Sequence, residues 1–176
     1  MRALVVYESM FGSTAAIAEA IAGSLRDSGL EVEARPISKT EPAEASDIDL
    51  LIVGGPTHRH GLSSSKSRQA AARDAKNKFS EPTLQPGLRD WLKQLPPSGG
   101  QLGAAFDTRF NLSMIVTGSA AKAVARQLKG RGNHLVAQPE SFFVSNEHQL
   151  LDGELEHAAK WAAEIAKRSA AATTAE

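Results

Sequence analysis

Three polar, glycine-containing stretches hold most of the residues whose types and spacing could do chemistry. The first is Glu8-Ser9-Met10-Phe11-Gly12-Ser13-Thr14, which follows an apolar run and opens an amphipathic segment. Three hydroxyls and a glycine at a helix start make a cradle for an anion, because a helix N-terminus leaves N–H donors free and carries partial positive charge. Gly12 lets the backbone come close to the anion. Ser9, Ser13 and Thr14 can donate hydroxyl bonds. The stretch lacks the Gly-Lys-Ser/Thr ending of a nucleoside triphosphate loop, and it has one glycine where a dinucleotide fingerprint has three. The competing structural reading is plain N-capping by Ser13.

The second stretch is Gly54-Gly55-Pro56-Thr57-His58-Arg59-His60-Gly61-Leu62. Glycines at both ends permit tight turns and the close approach of a flat ligand. Pro56 stiffens the entry, and His58 or Arg59 could lie over or beside a ring. The competing reading is a surface turn with solvated basic residues. His58 and His60, without a nearby acid or cysteine, are weak grounds for a metal. The third stretch, Phe106-Asp107-Thr108-Arg109-Phe110-Asn111, could offer donors to the other edge of a ring. Its competing reading pairs Asp107 with Arg109.

These stretches need a scaffold that gathers them. Residues 3–7 form a continuous apolar run, the mark of a strand buried on both faces. Ile17, Ile21 and Leu25 recur at a helical spacing, and the helix ends near Ser28-Gly29. Residues 31–37 alternate, and Pro36 assigns them to an edge. Ile48 to Val53 and Leu102 to Phe106 are two further buried strands. Residues 135–144 make a fifth, interrupted by Pro139. Helices are expected around Leu88, Trp91, Leu92 and Leu95, and from Ser119 to Lys129. A last helix, capped by Asp152, is expected to bury Leu155, Ala158, Ala159, Ala162 and Ile165. The segment 61–100 is long for one connection and begins as a basic, alanine-rich run. Strands alternating with helices predict an α/β fold, a three-layer doubly wound parallel five-stranded sheet in the order 2-1-3-4-5. Ligands of such sheets sit at the carboxyl ends of the strands, so the loops after strands 1, 3 and 4 should carry function. One domain over 1–168 and a disordered tail over 169–176 complete the organisation.

Composition narrows the classes. The 176 residues are 41% hydrophobic and 23% charged, with 20 basic and 20 acidic side chains. This balance argues against nucleic acid or an anionic membrane as the main partner. The absence of cysteine excludes disulfides, thiolate metal sites, iron–sulfur clusters and thiol catalysis. The apolar start meets Glu8 too soon for a signal peptide, and no apolar run approaches a membrane span, so a cytoplasmic protein is expected.

At these residues the chain resembles the flavodoxin-like family over nearly its whole length. Ser9-x-x-Gly12-x-Thr14 after strand 1 looks like the family's FMN-phosphate loop, which likewise lacks cations. Asp47-x-Asp49-Leu50-Leu51-Ile52-Val53-Gly54-Gly55-Pro56-Thr57 looks like strand 3 and the first flavin-flanking loop. The end of strand 4 looks like the second. In particular, the chain is similar to flavodoxin-domain proteins with a Gly-Gly-Pro-Thr-His loop and a Phe-Asp-Thr-Arg segment. The resemblance implies non-covalent FMN, with its phosphate on Ser9, Met10, Phe11, Gly12, Ser13 and Thr14. The ring would be flanked by Pro56, Thr57, His58, Arg59 and Gly61, and by Phe106, Asp107, Thr108 and Arg109. It implies electron transfer with a redox partner protein or a small acceptor, no catalytic side chain and no metal. The chain departs from the family in lacking a pair of flanking aromatics and in its basic rim: Arg59, Lys66, Arg68, Arg73 and Arg109. Two other functions stay open: an FMN-dependent NAD(P)H:quinone-type reductase and a flavin-free interaction module. A response regulator, which shares this fold, is excluded. It needs an aspartate ending strand 3 and a lysine ending strand 5, where this chain has Gly54-Gly55 and Ser145-Asn146.

Overall fold

The computed structural model describes residues 1–57, 61–62, 87–112 and 118–174. His58, Arg59 and His60, the basic segment 63–86 and four of the five rim cations lie outside the described residues.

Strands β1 (Arg2–Tyr7), β2 (Glu31–Pro36), β3 (Leu50–Pro56) and β4 (Leu102–Phe110) are parallel neighbours in the order β2-β1-β3-β4. The fifth position is filled by two short strands, β5 (His134–Leu135) and β6 (Glu140–Val144), both parallel to β4. Between the pairs Gly103↔Leu135 and Phe106↔Glu140, β4 advances three residues and its partner advances five. The expected interruption at Pro139 is therefore a bulge that leaves the strand direction intact. The described residues form the expected doubly wound α/β sheet in the order 2-1-3-4-5.

The helices are α1 (Ser13–Asp27), α2 (Leu88–Gln94), α3 (Ala120–Gly130) and α4 (Glu154–Thr174). Because successive side chains of a strand point to opposite faces, each inner strand supplies two cores. Ala3, Val5, Leu50, Ile52, Ala104 and Phe106 face α1 and α4, where Ile17, Ile21 and Ile165 meet them. Leu4, Val6, Leu51, Val53 and Ala105 face α2 and α3, where Trp91, Leu92, Val124 and Leu128 meet them. No helix among the described residues is long and apolar enough to cross a membrane.

Three expectations are corrected. β4 continues to Phe110, because β6 pairs with Phe106 through Phe110; the stretch expected as a loop is therefore strand as far as Phe110. The last helix starts at Glu154, one residue beyond Gly153, whose carbonyl accepts the His157 N–H at 2.9 Å, so Asp152 is not its cap. Its buried face runs Glu154, Ala158, Ala162, Ile165, Ala166 and Ser169, and Leu155 is left 49% exposed. The helix runs to Thr174, and Ser169 is its last fully buried residue.

One glycine is required by packing. In the register, Gly54 lies beside Phe106, and a Cβ on Gly54 would come within 2.3 Å of the Phe106 ring. That ring is fully buried and edges against Phe142 at 6.2 Å between centroids, so it cannot step aside cheaply. Overpacking a core of this kind costs about 1–3 kcal/mol. Gly54→Ala should lower the unfolding free energy by that amount, seen as a lower urea midpoint with an unchanged slope, measured by circular dichroism.

Candidate functional site

The loops that follow β1 and β6, together with the ends of β3 and β4, lie at the carboxyl ends of the strands. Among the described residues four α-helices begin at this end of the sheet, and each N-terminus leaves N–H donors to be satisfied. In α3 they are satisfied from within the protein. Ala120 N–H donates to Thr57 Oγ1 at 2.9 Å, Ala121 N–H to Asp107 Oδ2 at 2.8 Å, and Lys122 N–H to Ser119 Oγ at 3.2 Å. In α2, Leu88 N–H donates to the buried Glu8 carboxylate at 3.0 Å, and Asp90 lies in the first turn. In α4, Glu154 and Glu156 occupy the first turn.

Helix α1 differs. Its N-cap is Gly12, at φ 92, with no capping side chain and no acidic residue in the first turn. Among the described residues, the backbone N–H groups from Ser9 to Thr14 have no acceptor; the first N–H of this helix that finds one is Ala15, which donates to Ser9 Oγ at 3.2 Å. A left-handed φ at Gly12 is open to glycine at no steric cost. The reading of Ser13 as a plain N-cap is set aside, since its hydroxyl points elsewhere.

The hydroxyls hold this loop in shape. Ser13 Oγ donates to the His148 carbonyl. Thr14 Oγ1 and Thr108 Oγ1 share a buried hydrogen bond of 2.7 Å. Ser9 Oγ accepts from Ala15 and keeps its own proton free to donate. The hydroxyls expected as direct anion ligands are thus mostly braces, and the open donors are the amides.

His148, from the loop after β6, is a residue the sequence reading missed. Its imidazole stacks on the Phe11 ring at 4.0 Å between centroids and 11° between planes, and lies 5.4 Å from Phe110. Its φ of 62 is the left-handed region in a residue that is not glycine. A histidine in a turn between two exposed polar residues carries no periodic signal, so only the tertiary fold reveals it.

The residues expected to flank a ring separate into two groups. Phe106 is a core residue, fully buried against Phe142 and Trp161. Asp107 is fully buried and has turned toward α3, where its Oδ2 accepts from Thr57 Oγ1 at 3.0 Å, Ser119 Oγ at 2.7 Å and Ala121 N. It does not pair with Arg109. Arg109 is 8% exposed; its guanidinium donates to the Leu112 carbonyl at 2.7 Å and lies 4.8 Å over the Phe143 ring. It is therefore not a solvated rim cation. Pro56 ends β3 opposite Thr108, whose carbonyl accepts the N–H of the next residue, Thr57, at 2.9 Å. Gly61 lies in open space, where a Cβ would meet nothing within 4 Å. Among the described residues no group of three or more His, Asp or Glu could hold a metal ion.

The comparisons with known proteins agree with this fold. The family model for the flavodoxin domain matches residues 4–76, which span β1 through β3. No curated protein matches the chain significantly. Among solved structures, a flavodoxin from the domain Archaea is 21% identical, with a TM-score of 0.67 over 97% of this chain and 99% of that one. A flavodoxin of Streptococcus pneumoniae TIGR4 is 17% identical, with a TM-score of 0.69 over 96% of this chain and 99% of its own. Rubredoxin oxygen:oxidoreductase from Desulfovibrio gigas is 24% identical with a TM-score of 0.67; this chain is covered over 97% of its length and corresponds to 36% of that larger one. The chain is flavodoxin-like in fold and in the sequence of residues 4–76.

Two predictions follow from the braces. Asp107→Ala strands three donors around a buried position, and bonds to a charged acceptor are worth about 1.5–3 kcal/mol each. Allowing for partial relaxation, the variant should lose about 3 kcal/mol or more of unfolding free energy in urea. Asp107→Asn, which keeps one acceptor oxygen, should lose less. The second concerns His148, whose imidazole burial pushes below its ordinary value of 6.5. The unfolded chain then binds a proton more readily than the folded one. Stability from this group is fully present above about pH 6.5 and declines as the pH falls toward the lower folded value. His148→Asn tolerates the left-handed backbone. Its urea stability should therefore fall less than the parent's between about pH 7 and about pH 5.

Proposed function

We propose that this flavodoxin-like chain binds FMN non-covalently, with the phosphate at the start of α1, and uses it to transfer electrons. One observation carries the reading. Of the four described α-helices, α1 alone has neither a side-chain cap nor an acidic residue nor a neighbouring carboxylate at its N-terminus, and it begins with a run of unpartnered amides. Amides at a helix N-terminus suit a phosphate group without any cation. Ser9, Met10, Phe11, Gly12, Ser13 and Thr14 are the residues that would hold it: their amides as donors, the Ser9 hydroxyl as a further one, and the Ser13 and Thr14 hydroxyls as supports.

The bound flavin would supply the redox chemistry, accepting and releasing electrons. The chain's part is to bind, orient and shield it. The ring would lie between the β3 exit, at Pro56, Thr57 and Gly61, and the β4 end at Thr108. His58 and Arg59 belong to the first of these segments. Phe106, Asp107 and Arg109 drop out as direct ligands, since the first is core and the other two are committed to α3 and to Phe143. Asp107 instead positions Thr57, and with it the β3 exit. No side chain is required as nucleophile or general base. The partner is a redox protein or a small electron acceptor, in a cytoplasmic setting.

Flavin fluorescence titration tests this. FMN should quench on binding, and riboflavin, which lacks the phosphate, should bind at least about a hundredfold more weakly, the worth of two charge-assisted bonds. Equal affinity for the two flavins would remove the phosphate from the α1 cradle. No binding of either would leave a flavin-free interaction module as the reading. Steady oxidation of NAD(P)H by the flavin-loaded protein, with no reductase added, would favour the reductase.

A further inference from the structure

The sheet edge formed by β5 and β6 carries a second feature, away from the cradle. A groove of about 470 Å³ runs between α3 and α4 over the bulge that joins the two strands. Its floor is apolar, from Ala125, Leu135, Val136, Ala137 and Pro139. Its rim is basic: Lys122, Arg126 and Lys129 of α3 on one side and Arg168 of α4 on the other, with no acidic side chain lining it. The three α3 cations are exposed and have no carboxylate within 4.0 Å among the described residues. Arg168 is shared with Glu164 at 3.0 Å and reaches toward the Val136 carbonyl at 3.4 Å.

The backbone is open here as well. Among the described residues β5 and the start of β6 have a strand, β4, on one side only; the outer side of the far end of β6 is covered, where Val144 is bridged by Leu150 and the Phe143 carbonyl accepts the Leu151 N–H at 3.0 Å. Among the described residues the main-chain groups of Ala137 and Gln138 make no hydrogen bond. An uncovered strand edge is a template for an added strand. Proteins ordinarily protect such an edge, and here it is flanked by positive charge on a chain whose net charge is zero.

We propose that this groove docks an extended, acidic segment of a partner protein, which adds through its main chain to the edge from β5 to the start of β6 and sets its carboxylates against Lys122, Arg126 and Lys129. Main-chain bonds supply the geometry of such an addition, and alternate side chains supply its specificity. The apolar floor takes the side chains that alternate with the acids. The groove lies beside Gly103 to Phe106 of β4, short of the Thr108 end. A partner held there leaves the α1 cradle uncovered, so docking and the proposed flavin site are independent.

The test uses the full, isotope-labelled chain and amide nitrogen–proton spectra at low ionic strength. The probe is a capped peptide of alternating Glu and Val. Its addition should move the resonances of Leu135 to Gln138 and of α3. The combined variant Lys122→Ala, Arg126→Ala and Lys129→Ala should weaken binding about tenfold or more, with its melting temperature and FMN affinity unchanged. The same peptide with alternate backbone nitrogens methylated keeps its charge but loses its strand donors, and should bind far less well. Three results would overturn the proposal: no shift at these residues, equal binding of the methylated peptide, or shifts from tripolyphosphate but none from the peptide. The last would assign the groove to small polyanions.

Discussion

The first N–H groups of a helix find no carbonyl within it and must be satisfied from elsewhere, and how each helix meets that constraint organises one end of this molecule. The N–H groups from Ser9 to Thr14 find no acceptor among the described residues, while those that open α2 and α3 are taken up by Glu8, Thr57, Asp107 and Ser119. Neighbouring helices in one sheet thus have opposite solutions to the same problem. Closing α2 and α3 from within leaves the positive end of α1 open, which is where the proposed phosphate would sit. The loop can stay open because other contacts fix it: a threonine pair to β4, a serine bond to the last loop, and the Phe11 ring on His148. A cradle held in advance spares a ligand the cost of ordering it.

Asp107 joins this site to the far side of the sheet. It sits on the strand whose next residue, Thr108, bonds Thr14 in the α1 cradle, and its own carboxylate gathers Thr57, Ser119 and α3. One strand end therefore sets the β3 exit, the α3 start and the α1 start together. The alternation of a β-strand makes this possible, since Asp107 and Thr108 project to opposite faces. A buried carboxylate at a helix N-terminus is stabilised by the helix dipole and by its donors, and it needs no cation.

Much of this was legible in the sequence. The apolar runs at Ala3–Tyr7 and Leu50–Val53, the helical spacing of Ile17, Ile21 and Leu25, and the edge position of Pro36 each follow from local periodicity and backbone chemistry, and together they fix the sheet order. The hydroxyl- and glycine-rich composition of 8–14 marked it as a turn at a helix start, and the structure has Gly12 at φ 92 there. What was not legible depends on which side of a strand a residue faces once its neighbours are known. Phe106, Asp107 and Arg109 looked like loop residues beside a ring because the apolar run stops at Phe106; pairing with β6 carries the strand onward, buries Phe106 and turns Asp107 and Arg109 away. The bond from the Thr14 hydroxyl to Thr108 was not legible, because nothing local announces a partner 94 residues away. His148 gave no signal because a single histidine in a turn has no period, and its place against Phe11 is wholly tertiary. Asp152 and Leu155 were misjudged by one residue of helix phase, enough to rotate a face by about 100°.

In the proposed function the open amides of α1 receive the phosphate of a bound flavin. The amide spectrum of the isotope-labelled chain, recorded as FMN is added, reads those groups one by one. The account predicts that the resonances of Phe11 to Thr14 move furthest and downfield, as amides do on gaining a charged acceptor, and that inorganic phosphate moves the same set in the same direction. If FMN binds while these resonances stay still and others shift, the cradle does not hold the phosphate and the account is wrong at its base.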